Sequence, residues 1–125
     1  MITEDDLDLF GYYEIYEPKP HEKPSLYSLW VEKKIITAGQ ARLIENILGL
    51  VGEAGEVAEK IKKQIRDSQK VSDEDIMKEL GDVVFYATAL ANFYGRDLSY
   101  VLEMNVHKLD DREARNKIKG EGDNR

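Results

Sequence analysis

Two short segments of the chain each place a pair of carboxylates three residues apart. Glu53 and Glu56 stand in GEAGE, and Glu79 and Asp82 stand in ELGD. Residues three apart lie on one face of an α-helix, so each pair presents two acids side by side. Clustered carboxylates raise one another's pKa values unless a cation lies among them. The spacing therefore indicates a cation site, or, if the segments stay apart, two ordinary solvated helix faces.

The available donor atoms select the kind of cation. The chain has no cysteine and two histidines, His21 and His107. Oxygen ligands without nitrogen or sulfur favour a hard ion such as Mg²⁺, with Mn²⁺ as a substitute. A ferritin-like di-iron site needs Glu-x-x-His on two helices, whereas His107 follows Glu103 by four positions. An EF-hand is excluded because the sequence has no D-x-D-x-D-G loop.

Apolar residues around these acids recur in steps of four and three, which is typical of a helix packed on other helices. They predict a first long helix from Ala41 to Arg66. A second helix is predicted to begin after Ser72, a good N-cap followed by three acids, and to end near Gly95. A third helix follows Asp97. The predicted contact positions are Leu43, Ile47, Leu50, Ala54, Val57 and Ile61 on the first helix, and Ile76, Leu80, Val83, Ala87, Leu90 and Tyr94 on the second.

The predicted fold is all-α, with an antiparallel helical hairpin plus a third helix. A turn centred near residue 69 would set Glu56 beside Asp82 and Glu59 beside Glu79. Four or five acids would then converge within about two helical turns, roughly 11 Å. The second helix has more apolar side chains than one seam can hide, which predicts assembly into a helical-bundle dimer or tetramer. These side chains are Phe85, Tyr86, Leu90, Phe93 and Tyr94.

Length and composition predict one helical domain with short flanking segments. The chain has 125 residues, is 42% hydrophobic and carries a net charge of −7, which opposes binding to duplex nucleic acid. Residues 1–26 contain three closely spaced prolines and are predicted to form an extended arm. Residues 27–118 form the helical domain in this prediction, and residues 119–125 form a flexible polar tail.

The segments LGLVGEAGEVAEKIKK, KELGDVVFYATALA and NVHKLDDR, with the terminal GEGDNR, resemble the MazG-type all-α nucleoside triphosphate pyrophosphohydrolases, particularly the small single-domain forms of phages and bacteria. The resemblance covers about residues 40–125. The family pattern is E-E-x-x-E followed further along by E-x-x-D. Gly52 stands where many members have the first Glu, which leaves the number of metal ions open, and Glu59 is a candidate replacement.

The resemblance implies Mg²⁺-dependent hydrolysis of a (d)NTP to the (d)NMP and pyrophosphate, which would cleanse or remodel nucleotide pools. It places Glu53, Glu56, Glu79 and Asp82 on the metal as catalytic residues, and it implies homo-oligomers with active sites close to subunit contacts. A non-catalytic module that binds or senses nucleotides is the alternative. A purely structural helical protein is a third possibility, which requires the matching acids to be coincidental.

Positive residues are needed to hold the substrate phosphates. Asn105, Lys108 and Arg112 stand at i, i+3 and i+7 on the third helix and match the N-x-x-K…R pattern of similar family members. Arg125, in the glycine-containing tail, is a candidate to close over a neighbouring site. Lys60 flanks the acids and can either bind phosphate or pair with a glutamate one turn away.

A nucleobase binds by stacking on a flat apolar surface, for which the rings of Trp30 and Tyr27 are candidates. A single Trp is, however, more often a residue of the hydrophobic core. The N-terminal residues include acids where a secretory signal would carry Lys or Arg, and no run of 18 apolar residues occurs. We therefore expect no membrane partner and a cytoplasmic location, in the host cytoplasm if the protein is phage-encoded.

Overall fold

The computed structural model describes residues 25–67 and 69–115. These residues form four helices and no strand, which confirms the predicted all-α class: α1 (Leu26–Lys34), α2 (Gly39–Arg66), α3 (Asp73–Phe93) and α4 (Leu98–Ala114). Residues 25–98 form one compact unit, and residues 99–115 belong to another. Within the described ranges no helix combines the length and hydrophobicity needed to cross a bilayer. Apart from Ser25 and Leu26, the predicted arm and the predicted tail lie outside the described residues.

Helices α2 and α3 pack along each other as the predicted antiparallel hairpin. Near the turn, the Gln64 amide donates hydrogen bonds to the Val71 carbonyl at 3.3 Å and the Asp73 carboxylate at 2.8 Å. Near the open end, Arg42 donates to the Ala89 carbonyl at 3.3 Å. The two helices are therefore held together both near the turn and near the open end of the hairpin.

The residues from which the ends of α3 were predicted, Ser72 and Gly95, also fix those ends in the structure. The Ser72 hydroxyl accepts a hydrogen bond from the Asp75 amide at 3.2 Å, and the Asp75 carboxylate accepts one from the Ser72 amide at 3.0 Å, which together form a capping box. At the other end Gly95 adopts a φ of +74°, and its amide donates to the Asn92 carbonyl at 3.0 Å. This left-handed position is one that glycine adopts without strain.

Helix α1 is not indicated by the apolar pattern, which predicts no helix before Ala41. Its buried residues are Ser28 and Val31, so the buried side is half polar. The Ser28 hydroxyl accepts from the Leu98 amide at 2.9 Å, and the Asn92 side chain donates to the Ser28 carbonyl at 2.9 Å. A helix held in place by such polar contacts lacks the apolar stripe from which helices are predicted.

An arginine clamp fixes α1 to the hairpin. Both terminal nitrogens of Arg42 donate to the Glu32 carboxylate, at 2.6 and 2.7 Å, and this pairing lowers the pKa of Glu32. Because Arg42 also reaches the Ala89 carbonyl of α3, one side chain joins three helices. A bidentate pair restricts orientation as well as distance. The clamp therefore sets where the side chains of α1 lie relative to the acids.

The face of α2 that meets α3 differs from the predicted seam. Ile47 and Ile61 are 49% and 40% exposed, whereas Asn46 is buried. On α3, Leu80 and Tyr94 are also exposed. Helix α2 carries apolar residues on more than one face, and the pattern alone does not say which face α3 covers. The exposed large apolar residues of α2 are Ile44, Ile47, Leu48, Val51, Ile61 and Ile65.

The side-chain pairing across the hairpin also differs from the prediction. Lys60, rather than Glu59, contacts Glu79, with 2.7 Å between Nζ and Oε1. Glu59 lies 3.7 Å from Lys62 on its own helix. Successive helical residues point about 100° apart, so the rotation of α2 about its axis decides which of two neighbours faces α3. The length of the turn sets only which residues of α2 and α3 lie at the same height along the hairpin.

Candidate functional site

Three carboxylates from the two long helices meet on one face of the hairpin. Glu53 of α2 and Glu79 and Asp82 of α3 each offer an oxygen atom, and these three atoms lie within 4.8 Å of one another. Oxygen ligands on opposite sides of a Mg²⁺ ion are about 4.2 Å apart, so a small side-chain movement would let all three contact one ion. We call Glu53, Glu79 and Asp82 the acidic trio.

Burial and mutual repulsion shift the pKa values within the acidic trio. Burial raises the pKa of Glu53, and a hydrogen bond to Glu79 together with the charges of Asp82, Glu79 and Glu56 raises it further. The same hydrogen bond lowers the pKa of Glu79, so it favours the protonated form of Glu53 and the charged form of Glu79. Carboxyl groups brought this close repel each other, and a cation among them would relieve that repulsion.

Lys60 supplies part of the missing positive charge. Its ammonium donates to Glu79 and lowers the pKa of that carboxyl, while the pKa of Lys60 itself is raised by the same contact. The side chains of Lys60 and Glu79 are 29% and 15% exposed, so solvent only partly screens the pair. An amine cation therefore lies at the edge of a site whose remaining donors are all carboxylate oxygens.

Two further acids of the predicted set stay outside the trio. Glu56 is exposed, and its negative charge contributes to the raised pKa of Glu53, so it lies near the trio without joining it. Glu59, which pairs with Lys62, does not replace the acid absent at Gly52. The space that a side chain at Gly52 would enter is open for 4 Å among the described residues.

Replacing Glu53 with glutamine is expected to stabilise the metal-free protein at neutral pH, raising Tm by about 2–4 °C. A carboxyl whose pKa is raised by folding contributes stability at low pH and loses it as pH rises through the folded-state pKa. Glutamine removes this loss and can still donate a hydrogen bond to Glu79. The gain should disappear below the usual pKa range of glutamate.

The measurement is a series of thermal melts in a chelator between acidic and neutral pH. Glu45→Gln, an exposed position on the same helix, is the matched control and should leave Tm nearly unchanged. A lower Tm for Glu53→Gln at neutral pH would contradict the expected repulsion.

An aromatic cluster borders the acidic trio. The Trp30 ring stacks on Tyr27 with centroids 5.7 Å apart and meets Phe85 edge-on at 6.0 Å. Phe85 follows Asp82 by one helical turn, and the pKa of Tyr27 is raised by burial and by the charge of Asp82. Trp30 is 49% exposed, and Lys34 Nζ lies over its ring, 5.5 Å from the centroid.

The part played by Phe85 was not evident from the sequence, which assigned it to leftover apolar surface. The signal was its position three residues after Asp82, which puts both on one helix face. Close helix packing beside it depends on Gly49, where a Cβ atom would overlap the ring of Tyr86. The missing side chain at Gly49 therefore lets α2 and α3 approach each other closely at this level.

The predicted phosphate-binding residues of the third helix lie on α4, within the second compact unit. Asn105 is exposed, Lys108 is partly exposed, and Arg112 is 3% exposed. Their i, i+3, i+7 spacing places them along one side of this helix. Arg125 lies outside the described residues. A role for these four residues in binding phosphate stays a prediction.

The MazG nucleotide pyrophosphohydrolase domain matches residues 42–115. The "Gene 37 protein" of Mycobacterium phage L5 is 45% identical over 96 residues, covering 70% of this chain and 84% of that protein. No solved structure matches significantly. The matched region contains the acidic trio, Lys60 and Arg112.

Proposed function

Because the chain belongs to the MazG nucleotide pyrophosphohydrolase family, we propose that it hydrolyses a nucleoside triphosphate to the monophosphate and pyrophosphate. The family membership confirms the resemblance found in the motifs, and enzymes of this family are hydrolases. The observation that supports the activity in this chain is the meeting of Glu53, Glu79 and Asp82 within 4.8 Å across the hairpin. Acids from two helices at this spacing are suited to a metal-dependent reaction on phosphates.

The acidic trio would hold Mg²⁺, with Mn²⁺ as a substitute. The donor set fits a hard ion because it consists of carboxylate oxygens from three neighbouring side chains. When bound, the ion neutralises the phosphates and makes a coordinated water more acidic. Three carboxylates would be enough to hold a single ion of this kind.

The remaining polar residues have separate roles in this proposal: one accepts a proton, and the others bind the triphosphate. Glu56, exposed beside the trio, accepts the proton of the attacking water, since its oxygens are not needed to complete the trio. Attack falls on the α-phosphorus, so that pyrophosphate leaves intact. Asn105, Lys108 and Arg112 bind the phosphates, and Arg125 of the tail adds a further contact.

The aromatic cluster binds the nucleobase in this proposal. Trp30 is half exposed, and its contacts with Tyr27 and Phe85 hold the ring in one orientation. A base stacked on Trp30 would leave its triphosphate near Asp82, because Phe85 connects the cluster to that turn of α3. Stacking is tolerant of base identity, which suits a (d)NTP substrate class without selecting one base.

The active form is a homodimer or homotetramer. Six apolar side chains of α2 are at least 40% exposed in the single chain, and α3 leaves Met77 and Val84 exposed as well. Self-association would bury this surface. We place the protein in the cytoplasm, in that of the host if it is phage-encoded, as the phage relative suggests. Its work there would be to cleanse or remodel the nucleotide pool.

A non-catalytic nucleotide-binding module is the second candidate. The observation in its favour is Gly52, which stands where many family members have an acid, so this chain has fewer carboxylates for metal. Such a module would bind a nucleotide through the same cluster and trio without turnover. The two candidates differ in whether pyrophosphate is released.

Product analysis decides between them. The pure protein is incubated with Mg²⁺ and each common NTP and dNTP separately, and monophosphate, diphosphate, pyrophosphate and phosphate are resolved. We expect monophosphate and pyrophosphate in equal amounts from at least one nucleotide, and no products in a chelator. Nucleotide binding without products would favour the sensing module, and diphosphate with free phosphate would contradict attack at the α-phosphorus.

A further inference from the structure

Lys60 occupies an unusual position for a surface lysine. Its ammonium lies 2.7 Å from Glu79 Oε1, and its side chain is 29% exposed, although Lys60 and Glu79 come from different helices. The other lysine pairs of the hairpin are local and more exposed: Lys62 lies 3.7 Å from Glu59, and its side chain is 66% exposed. Lys60 thus makes a direct contact across the hairpin with a member of the acidic trio.

A divalent ion held by the trio would compete with this contact. Both the ion and the ammonium require oxygen atoms of Glu79, and two cations only a few ångströms apart repel each other. Lys60 is tethered to α2, so its local concentration is constant, whereas the ion must come from solution. The ammonium therefore raises the metal concentration needed to fill the site, while it keeps Glu79 oriented until metal arrives.

We propose that Lys60 is the built-in counter-ion of the acidic trio: it neutralises and positions Glu79 in the metal-free protein and is displaced from that carboxylate when the divalent ion binds. This inference rests on the proposed function, because it takes the trio to be the metal site. Lys60 is on this view a positioning residue that sets the affinity for metal. A lysine with a merely structural role would, on removal, weaken metal binding or leave it unchanged.

The test is titration calorimetry with Mn²⁺ on the full chain, without nucleotide. Lys60→Met should bind Mn²⁺ about fivefold more tightly than the wild type, the size expected for loss of a partly exposed ion pair. Its Tm in a chelator should be lower than that of the wild type, because the trio loses its compensating charge. Lys60→Arg should retain the wild-type affinity for Mn²⁺.

Lys62→Met is the matched control, since it removes one positive charge two residues away without touching the trio. An equal gain in affinity in Lys60→Met and Lys62→Met would show a general charge effect and overturn the inference. Weaker or unchanged Mn²⁺ binding in Lys60→Met would overturn it too, with the metal site itself intact. No Mn²⁺ binding to the wild-type chain would instead contradict the metal site, and the counter-ion role with it.

Discussion

Glu79→Gln is expected to lower kcat/KM by about 10²- to 10³-fold, the range found when a group that stabilises transition-state charge is lost. Glu79, on α3, has two partners on α2: hydrogen bonds from Lys60 and from Glu53 both lower the pKa of its carboxyl. Glutamine keeps the shape and removes the charge on which a divalent ion depends. The substitution also leaves Lys60 without its acid, so a positive charge then faces the incoming ion.

Two measurements check this expectation together. The pyrophosphate release assay gives kcat/KM, and Mn²⁺ titration gives the metal affinity, which should fall in parallel. Glu74→Gln removes the same charge from an exposed position on the same helix and should change kcat/KM by less than about twofold. Activity in Glu79→Gln close to that of Glu74→Gln would show that the metal is held elsewhere.

Trp30→Ala is expected to raise KM for the nucleotide about tenfold with little change in kcat, since base stacking on an aromatic ring contributes roughly 1–3 kcal/mol. The lost stacking energy changes KM rather than kcat, because the base is stacked equally in the bound substrate and in the transition state. Trp30→Phe keeps a flat ring and should restore most of the affinity. Leu29→Ala, on the same helix at 45% exposure, is the control for general loosening of α1.

The tryptophan also gives a direct signal. The chain contains one Trp, so any change of intrinsic fluorescence on adding nucleotide and metal reports on Trp30. We expect quenching that saturates at the nucleotide concentration that half-saturates the enzyme. Unchanged fluorescence, or an equal rise of KM in Trp30→Ala and Leu29→Ala, would place the base elsewhere.

Much of the site was predictable because helices obey short-range rules. The spacing of Glu79 and Asp82 puts them on one face whatever surrounds them, and Ser72 and Gly95 mark the ends of α3 through local hydrogen bonds and backbone conformation. These features depend on residues fewer than five positions apart. Spacing alone does not distinguish a cation site from a solvated helix face. The resemblance to the family motif indicated which reaction the acids would serve.

Helix α1 could not be predicted by the same rules. Its position depends on Ser28 and on the pairing of Glu32 with Arg42, which are polar contacts with distant parts of the chain. Such contacts leave no periodic apolar pattern. The environment of Trp30 consequently depends on a helix, α1, that the apolar pattern of the sequence does not predict.

The sequence by itself determined that the protein is helical, where the long helices begin and end, which family it belongs to and that its acids come in pairs. Only the tertiary structure decided which acids meet. Glu53 joins Glu79 and Asp82 while Glu56 stays outside, and Lys60 rather than Glu59 contacts Glu79. The physical reason is that the pattern along a helix defines its faces, whereas the rotation of one helix against another is set by long-range packing.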